Sequence, residues 1–282
     1  MTDAAKTNAK DTTIRFAGGK TGVLLLHGLC GTPAEMRFVA MGLARAGYTV
    51  HTPQLAGHGA ENGGRWQDWY LSAREALAEI RKECDTVIVG GLCMGAILGL
   101  HLAARNPGKV QGVSLFSPTL WINGWAMPWT MRLFKLVKAR WLAKFFKFPD
   151  ADSLGIKCPR VRSFVKTALE TEGDYGRAGV PGTMVLEHRR MVEAAMNLLP
   201  RVKQPTLIVH SKEDDYADLN NAVFLKTELP GRVDMVVLED SYHMVTLDKQ
   251  RQVVVDKARV FVDSIVDAIA NAAAFPAVQA AA

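Results

Sequence analysis

Three features of the amino-acid sequence predict an α/β fold: a mostly parallel sheet covered by helices on both faces, with a helical segment inserted after the strand at 110–116. From residue 22 to residue 116, short apolar runs alternate with longer patterns of helical period, the order that builds a parallel sheet. The stretch Val87-Ile88-Val89-Gly90-Gly91-Leu92-Cys93-Met94-Gly95-Ala96 passes from strand to turn to small-residue helix without a spacer. After an interruption from about 118 to 205, the alternation resumes and ends in a helical pattern.

Thr12 to Phe16 reads as a short first strand, with Gly18-Gly19 as its turn. Gly22 to Gly28 is a buried strand running into a glycine turn. Pro33 opens a helix to about Ala46, with Met36, Phe38, Val39, Leu43 and Ala44 as core positions, and Gly47 ends it. Tyr48 to Pro53 is the next strand, followed by a loop over 54–59. A helix from about Trp66 to Glu83, a strand over 86–91, a helix over 94–105 stopped by Asn106-Pro107-Gly108 and a strand from Val110 to Phe116 complete the first half. Beyond Pro205 come a strand to His210, a helix near 219–229, a strand over 233–238 and a last helix from about 249 to 271. The Ala-rich tail 272–282 is expected to fray. Residues 1–117 and 206–282 then form one core, and 118–205 a helical cap.

Composition narrows the function classes. With 49% hydrophobic and 22% charged residues, the 282-residue chain buries a full core. The N-terminal stretch is polar and lacks the apolar run of a secretion signal. No stretch approaches the ~18 apolar residues of a membrane span. Cys30, Cys84, Cys93 and Cys158 form no CxxC pair. A reduced, cytoplasmic chain without metal or cofactor is expected.

The turn Gly91-Leu92-Cys93-Met94-Gly95 has the strand–turn–helix context of a nucleophile elbow, whose usual form is Gly-x-Ser-x-Gly. Cys93 would stand at a helix N-terminus, where the dipole favours a thiolate; the competing reading is a buried, inert cysteine. A nucleophile needs a base, and the base an orienting acceptor. Two strand-end loops follow the insertion. The first, His210-Ser211-Lys212-Glu213-Asp214-Asp215-Tyr216, carries acids; Asp214 is the first choice over Asp215, Glu213 and Asp218. The second, Glu239 to Met244, carries His243 as the base. Oxyanion donors fall on the backbone N–H groups of Met94 and of Leu29 in the first strand-to-loop turn. His27 is read as a brace for that turn, and His58 as a turn-stabilising residue, with lining of the site mouth as the alternative. His51, His101, His188 and His210 are read as structural or surface residues.

Taken together, LLLHGLCGTP, GYTVHTPQLAGHG, VGGLCMGA, PTLIVHSKEDD and DSYHMVTLD resemble the α/β-hydrolase superfamily, within it the carboxylesterase and monoacylglycerol-lipase-like branch. The likeness covers about two thirds of the chain, and the insertion matches only loosely. It implies the α/β-hydrolase fold, a nucleophile–acid–histidine triad and ester hydrolysis. Its Ser-x-x-Asp spacing at 211–214 supports Asp214, its His-Gly-x turn supports Leu29, and the segment before the last helix supports His243. The departure is Cys93, where most of that branch has serine. Three accounts stand: a native cysteine nucleophile, a serine-to-cysteine replacement that traps an acyl-enzyme, and a site that only binds its ligand. A cysteine also raises thioesterase or acyltransferase activity as an alternative to ester hydrolysis.

The insertion holds the charge excess. Residues 121–160 carry eight Lys or Arg against Asp150 and Asp152, interleaved with Trp129, Leu133, Phe134, Trp141, Phe145 and Phe146. The 130–147 stretch reads as a basic amphipathic helix or helix pair. It is expected to cap an apolar acyl site, with Phe134, Trp141 and Phe145 as lining residues, for a medium or long acyl chain or an aromatic ester. Contact with an anionic lipid surface is the sharper alternative for its basic face. No nucleic-acid partner is expected, because no recognition motif accompanies the charge.

Overall fold

The computed structural model describes residues 12–58, 64–171 and 179–279. Among the described residues, seven strands form one sheet: β1 (Ile14–Phe16), β2 (Thr21–Leu26), β3 (Thr49–Thr52), β4 (Thr86–Leu92), β5 (Gly112–Phe116), β8 (Thr206–Ser211) and β9 (Val233–Leu238). Their order is β1-β3-β2-β4-β5-β8-β9. Only the edge strand β1 runs antiparallel, against β3; every other neighbouring pair is parallel. This is the predicted architecture, with β4 in the middle.

The period of two along each strand explains why both faces carry helices. Leu24, Leu26, Val87, Val89, Val113, Leu115 and Ile208 point to one face. There they meet α2 (Trp66–Glu83), α3 (Met94–Arg105) and α8 (Asn220–Glu228). Val23, Leu25, Ile88, Phe116, Leu207 and Val209 point to the other, against α1 (Arg37–Arg45) and α9 (Arg251–Gln279). A strand buried on both sides must be apolar along its length, as β2 and β4 are beyond their opening threonines.

Local chemistry sets the element ends. Thr32 caps a 3-10 turn, Pro33–Met36, which precedes α1, so the expected Pro33–Ala46 helix is two pieces. Asp68 accepts the Arg65 N–H at 2.9 Å and closes the N-terminus of α2. The final helix runs on to Gln279, past the expected end at 271; alanine, abundant there, is the best helix former. Residues 280–282 of the tail, and Gly59 of the loop over 54–59, lie outside the described residues.

Residues 118–205 link β5 to β8 through α4 (Thr130–Phe134), α5 (Arg140–Ala143), β6 (Lys147–Phe148), α6 (Pro159–Thr171), β7 (Val180–Pro181) and α7 (Gly182–Met196). Of the helix or helix pair expected over 130–147, the chain forms a pair of short helices with a connecting turn. They pack Met131, Phe134, Val137, Ala143 and Phe148 on Val185 and Leu186 of α7. The C-terminal half of α7 joins the main core through Met191, Val192 and Ala195. A buried carboxylate ties the pieces together: Glu187 on α7 takes Arg140 at 2.9 Å, Arg190 at 2.8 Å and the Trp66 N–H at 3.3 Å.

Candidate active site

The site lies at the carboxyl ends of the central strands, where open parallel sheets place their ligands. At the end of β4, Cys93 has φ 55 and ψ −115, a backbone conformation that L-residues rarely hold. Two glycines permit it. A Cβ on Gly91 would lie 2.2 Å from the Gly95 carbonyl carbon, and one on Gly95 would lie 2.3 Å from the Leu26 carbonyl oxygen. The Cys93 N–H is held by the Phe116 carbonyl at 2.9 Å. The sulfur is thereby lifted off the sheet at the start of the buried helix α3.

The loop after β9 brings His243 to this point, and the loop after β8 brings two acids. Asp214 accepts from His243 Nδ1 at 2.8 and 3.0 Å. It is itself fixed by the N–H groups of Tyr216 and Ala217 at 2.9 and 2.8 Å. The neighbouring Asp215 does a different job, accepting the backbone N–H of His243 at 3.1 Å and the Ser153 hydroxyl. Asp214 therefore orients the ring and Asp215 holds the loop. His243 Nε2 has no full hydrogen bond and is left to the Cys93 sulfur beside it. Burial alone would lower the affinity of this ring for a proton; Asp214 and Cys93 overcome that and hold its pKa well above the usual histidine value. Asp214 is buried too, yet its carboxyl stays below the ordinary range because His243 and His210 face it.

The segment 153–158 braces the histidine loop. Gly155 accepts the Met244 N–H at 2.7 Å. Asp248 accepts the N–H groups of Lys157, Cys158 and Tyr242 at 2.7, 2.9 and 2.8 Å. Tyr216 stacks on the His243 ring at 5.2 Å.

Opposite the sulfur is the turn after β2. His27 accepts the Leu55 N–H at Nε2 (3.1 Å) and donates from Nδ1 to the Gly28 carbonyl (3.0 Å), which makes it the brace expected from the sequence. Among the described residues, neither the Leu29 nor the Met94 backbone N–H is drawn to a protein acceptor. Sequence reasoning missed Glu35, whose carboxylate accepts the Gly28 N–H at 2.7 Å and lies against Gly31, where a Cβ would come within 1.9 Å of it. Burial lifts its pKa to about 7, against the pull of Gly28 and His243. An acid in an otherwise apolar helix start was the one visible sign.

A cavity of about 140 Å³ joins these groups. Its walls include Leu29, Ile122, Met131, Phe148, Val165 and Val185, with Glu35, Asp150, His188 and Tyr216 as polar points. Four residues expected there are elsewhere. His58 is buried against His27 and Trp69, with ring centroids 4.9 and 5.1 Å away. Phe134, the last residue of α4, packs into the cluster with Val185 and Leu186. Trp141 and Phe145 are 67% and 79% exposed, because α5 is one turn long and only Ala143 faces inward. Cys30 does line the cavity, but its sulfur turns to Met184 Sδ at 3.3 Å.

A parallel sheet with a strained residue at the end of its central strand, an acid loop and a histidine loop defines an α/β-hydrolase. A family model described as serine aminopeptidase, S33, matches residues 19–250. A thermostable monoacylglycerol lipase from Bacillus sp. (strain H-257) is 30% identical over 248 residues, 86% of this chain and 90% of the relative. A carboxylesterase from Bacillus subtilis (strain 168) is 24% identical over 246 residues, 85% of this chain and 91% of the relative. Among solved structures, one from work on the metagenome-derived lipolytic enzymes LipS and LipT superposes with a TM-score of 0.72 at 27% identity, covering 89% of this chain and 97% of that one. The chain belongs to the serine aminopeptidase S33 family of α/β-hydrolases, in its carboxylesterase and monoacylglycerol-lipase-like branch.

Proposed function

We propose that this hydrolase cleaves carboxylic esters with an apolar acyl chain through a covalent thioester on Cys93. The observation that carries the reading is that Cys93, His243 and Leu29 line one apolar cavity, with Asp214 behind His243 at 2.8 Å from its Nδ1. The relatives' names, a monoacylglycerol lipase and a carboxylesterase, point to the same bond type.

His243 takes the Cys93 proton and the sulfur attacks the ester carbonyl. The Leu29 and Met94 N–H groups bind the oxyanion, and the imidazolium passes its proton to the departing alcohol oxygen as the C–O bond breaks. Water then attacks the thioester with His243 as base, the acid leaves, and the thiol is restored. Asp214 holds Nδ1–H throughout. Residues 118–205 serve as the cap that keeps bulk water from the acyl group. The cavity volume is below the ~300 Å³ of ordinary small-molecule sites, which suits a shorter acyl chain than the aromatic insertion alone leads one to expect. The test is intact-mass spectrometry during turnover of a slow ester. An adduct of acyl mass on the peptide containing Cys93 is expected; ester turnover with no adduct at Cys93 overturns the mechanism.

A second reading, contact with an anionic lipid surface, is favoured by the outer face of the cap. Trp129, Leu136, Trp141 and Phe145 are each exposed by two thirds or more, among the exposed lysines 135, 138, 144 and 147. Exposed aromatics beside cations suit a headgroup boundary, where each Lys or Arg adds about 1 kcal/mol. The protein is expected to cosediment with phosphatidylserine-containing vesicles and not with neutral ones. Trp129, Trp141 and Phe145 replaced together by serine should weaken that binding roughly tenfold or more. A protein that stays in the supernatant in both cases overturns the reading.

A further inference from the structure

His188 lies on α7 and closes the catalytic cavity on the side of the 118–205 segment, lining it together with Cys93, His243 and Thr119. It is 2% exposed. Neither ring nitrogen meets hydrogen-bond geometry with a described residue, although the Thr119 backbone lies beside the ring. Leaving a buried polar group unpaired costs about 1–3 kcal/mol, and an apolar side chain would close the wall at no such cost. The other histidines around the site each have work for at least one nitrogen: His27 on Leu55 and Gly28, His210 on the Ala217 carbonyl, His243 on Asp214. At the cavity wall His188 sets one nitrogen at most against the Thr119 backbone, and the other has no partner among the described residues.

We propose that His188 is a specificity-determining residue, which hydrogen-bonds a hydroxyl group carried by the ester substrate. The inference rests on the ester-hydrolase reading and names the substrate class within it. The charge of the cavity selects a neutral group. Burial pushes the His188 pKa down to about 4, so the ring is uncharged near neutrality. No lysine or arginine lines this cavity among the described residues, whereas the carboxyl groups of Glu35 and Asp150 do. The cationic form of His243 is already engaged by Asp214 and Cys93, so an anionic ligand group would find no free counter-charge there. A hydroxyl can give to one ring nitrogen or take from the other, and brings no charge.

The hydroxyl belongs either to the acyl chain or to the alcohol, and two pairs of matched esters separate them. Ethyl hydroxybutyrate against ethyl butyrate places it on the acyl side; glyceryl monobutyrate against propyl butyrate places it on the alcohol side. Acid release by the full-length protein gives kcat/KM for each. In one pair the hydroxylated ester is expected to be preferred about tenfold, the worth of one buried hydrogen bond. His188→Leu should bring that ratio to near one, and His188→Asn, which keeps a donor and an acceptor, should retain part of it. If the leucine variant fails to fold, His188→Met, flexible enough to fill the same space, carries the same comparison. A ratio near one in both pairs for the wild-type protein overturns the inference, as does a ratio that the apolar variant leaves unchanged. Turnover of none of the four esters would instead bring down the ester-hydrolase reading itself.

Discussion

Cys93→Ala is expected to lower turnover of p-nitrophenyl esters by roughly 10⁴-fold or more, with circular dichroism and thermal unfolding close to wild type. The size follows from what is removed, since without the sulfur no acyl-enzyme forms and only oxyanion donors and binding remain. The fold should survive because the strained backbone at 93 is imposed from outside. Phe116 holds the Cys93 N–H, and Gly91 and Gly95 keep the turn closed against β2; alanine occupies φ 55 at no greater steric cost than cysteine. Undiminished ester turnover in this variant would sink the nucleophile assignment.

Cys93→Ser asks a second question of the same atom. A hydroxyl depends on a base more than a thiol does, because it is scarcely ionised by itself. Asp214 and His243 already supply that base. Serine is therefore expected to keep or raise ester turnover, which would mark the surroundings of residue 93 as built for an oxygen nucleophile. Loss of activity with serine would mark the cysteine as integral, and would favour acyl transfer through its thioester.

Much of this was legible because short-range chemistry dictates it. The apolar runs of β2 and β4 could only be strands buried on both faces, and the glycines at 91 and 95 could only flank a turn that admits no side chain. The order nucleophile, acid, histidine followed from which loops end strands. What stayed hidden depends on contacts distant in the chain. Asp214 and Asp215 are adjacent and chemically alike, and only the approach of the His243 loop assigns the ring to one and the backbone to the other. His188 had no motif because its significance comes from the cavity it faces. Trp141 and Phe145 misled because the second helix of the pair is a single turn, Arg140–Ala143, that turns only Ala143 inward and leaves both aromatics outside.

His243→Ala should cost ester turnover about as much as loss of the nucleophile, roughly 10³- to 10⁶-fold, since members of such a unit are far from additive. The more discriminating comparison is between the two acids, read by pH. His243 must carry the proton that it passes to the departing alcohol. Activity falls as pH rises and that proton is lost. Asp214 lies 2.8 Å from Nδ1 and, with Cys93, holds the His243 pKa up against burial. Asp214→Asn removes that charge, so the descending limb of kcat/KM should move to lower pH while the rate at its maximum falls roughly 10²- to 10⁴-fold. Asp215→Asn keeps an oxygen for the His243 N–H and leaves Asp214 in place. Its loss should be within about tenfold, a lost backbone hydrogen bond at most, and its limb should stay near the wild-type position. Equal displacement of the limb by the two variants would mean that the acids act on His243 through general charge, and that Asp214 has no special claim on the ring.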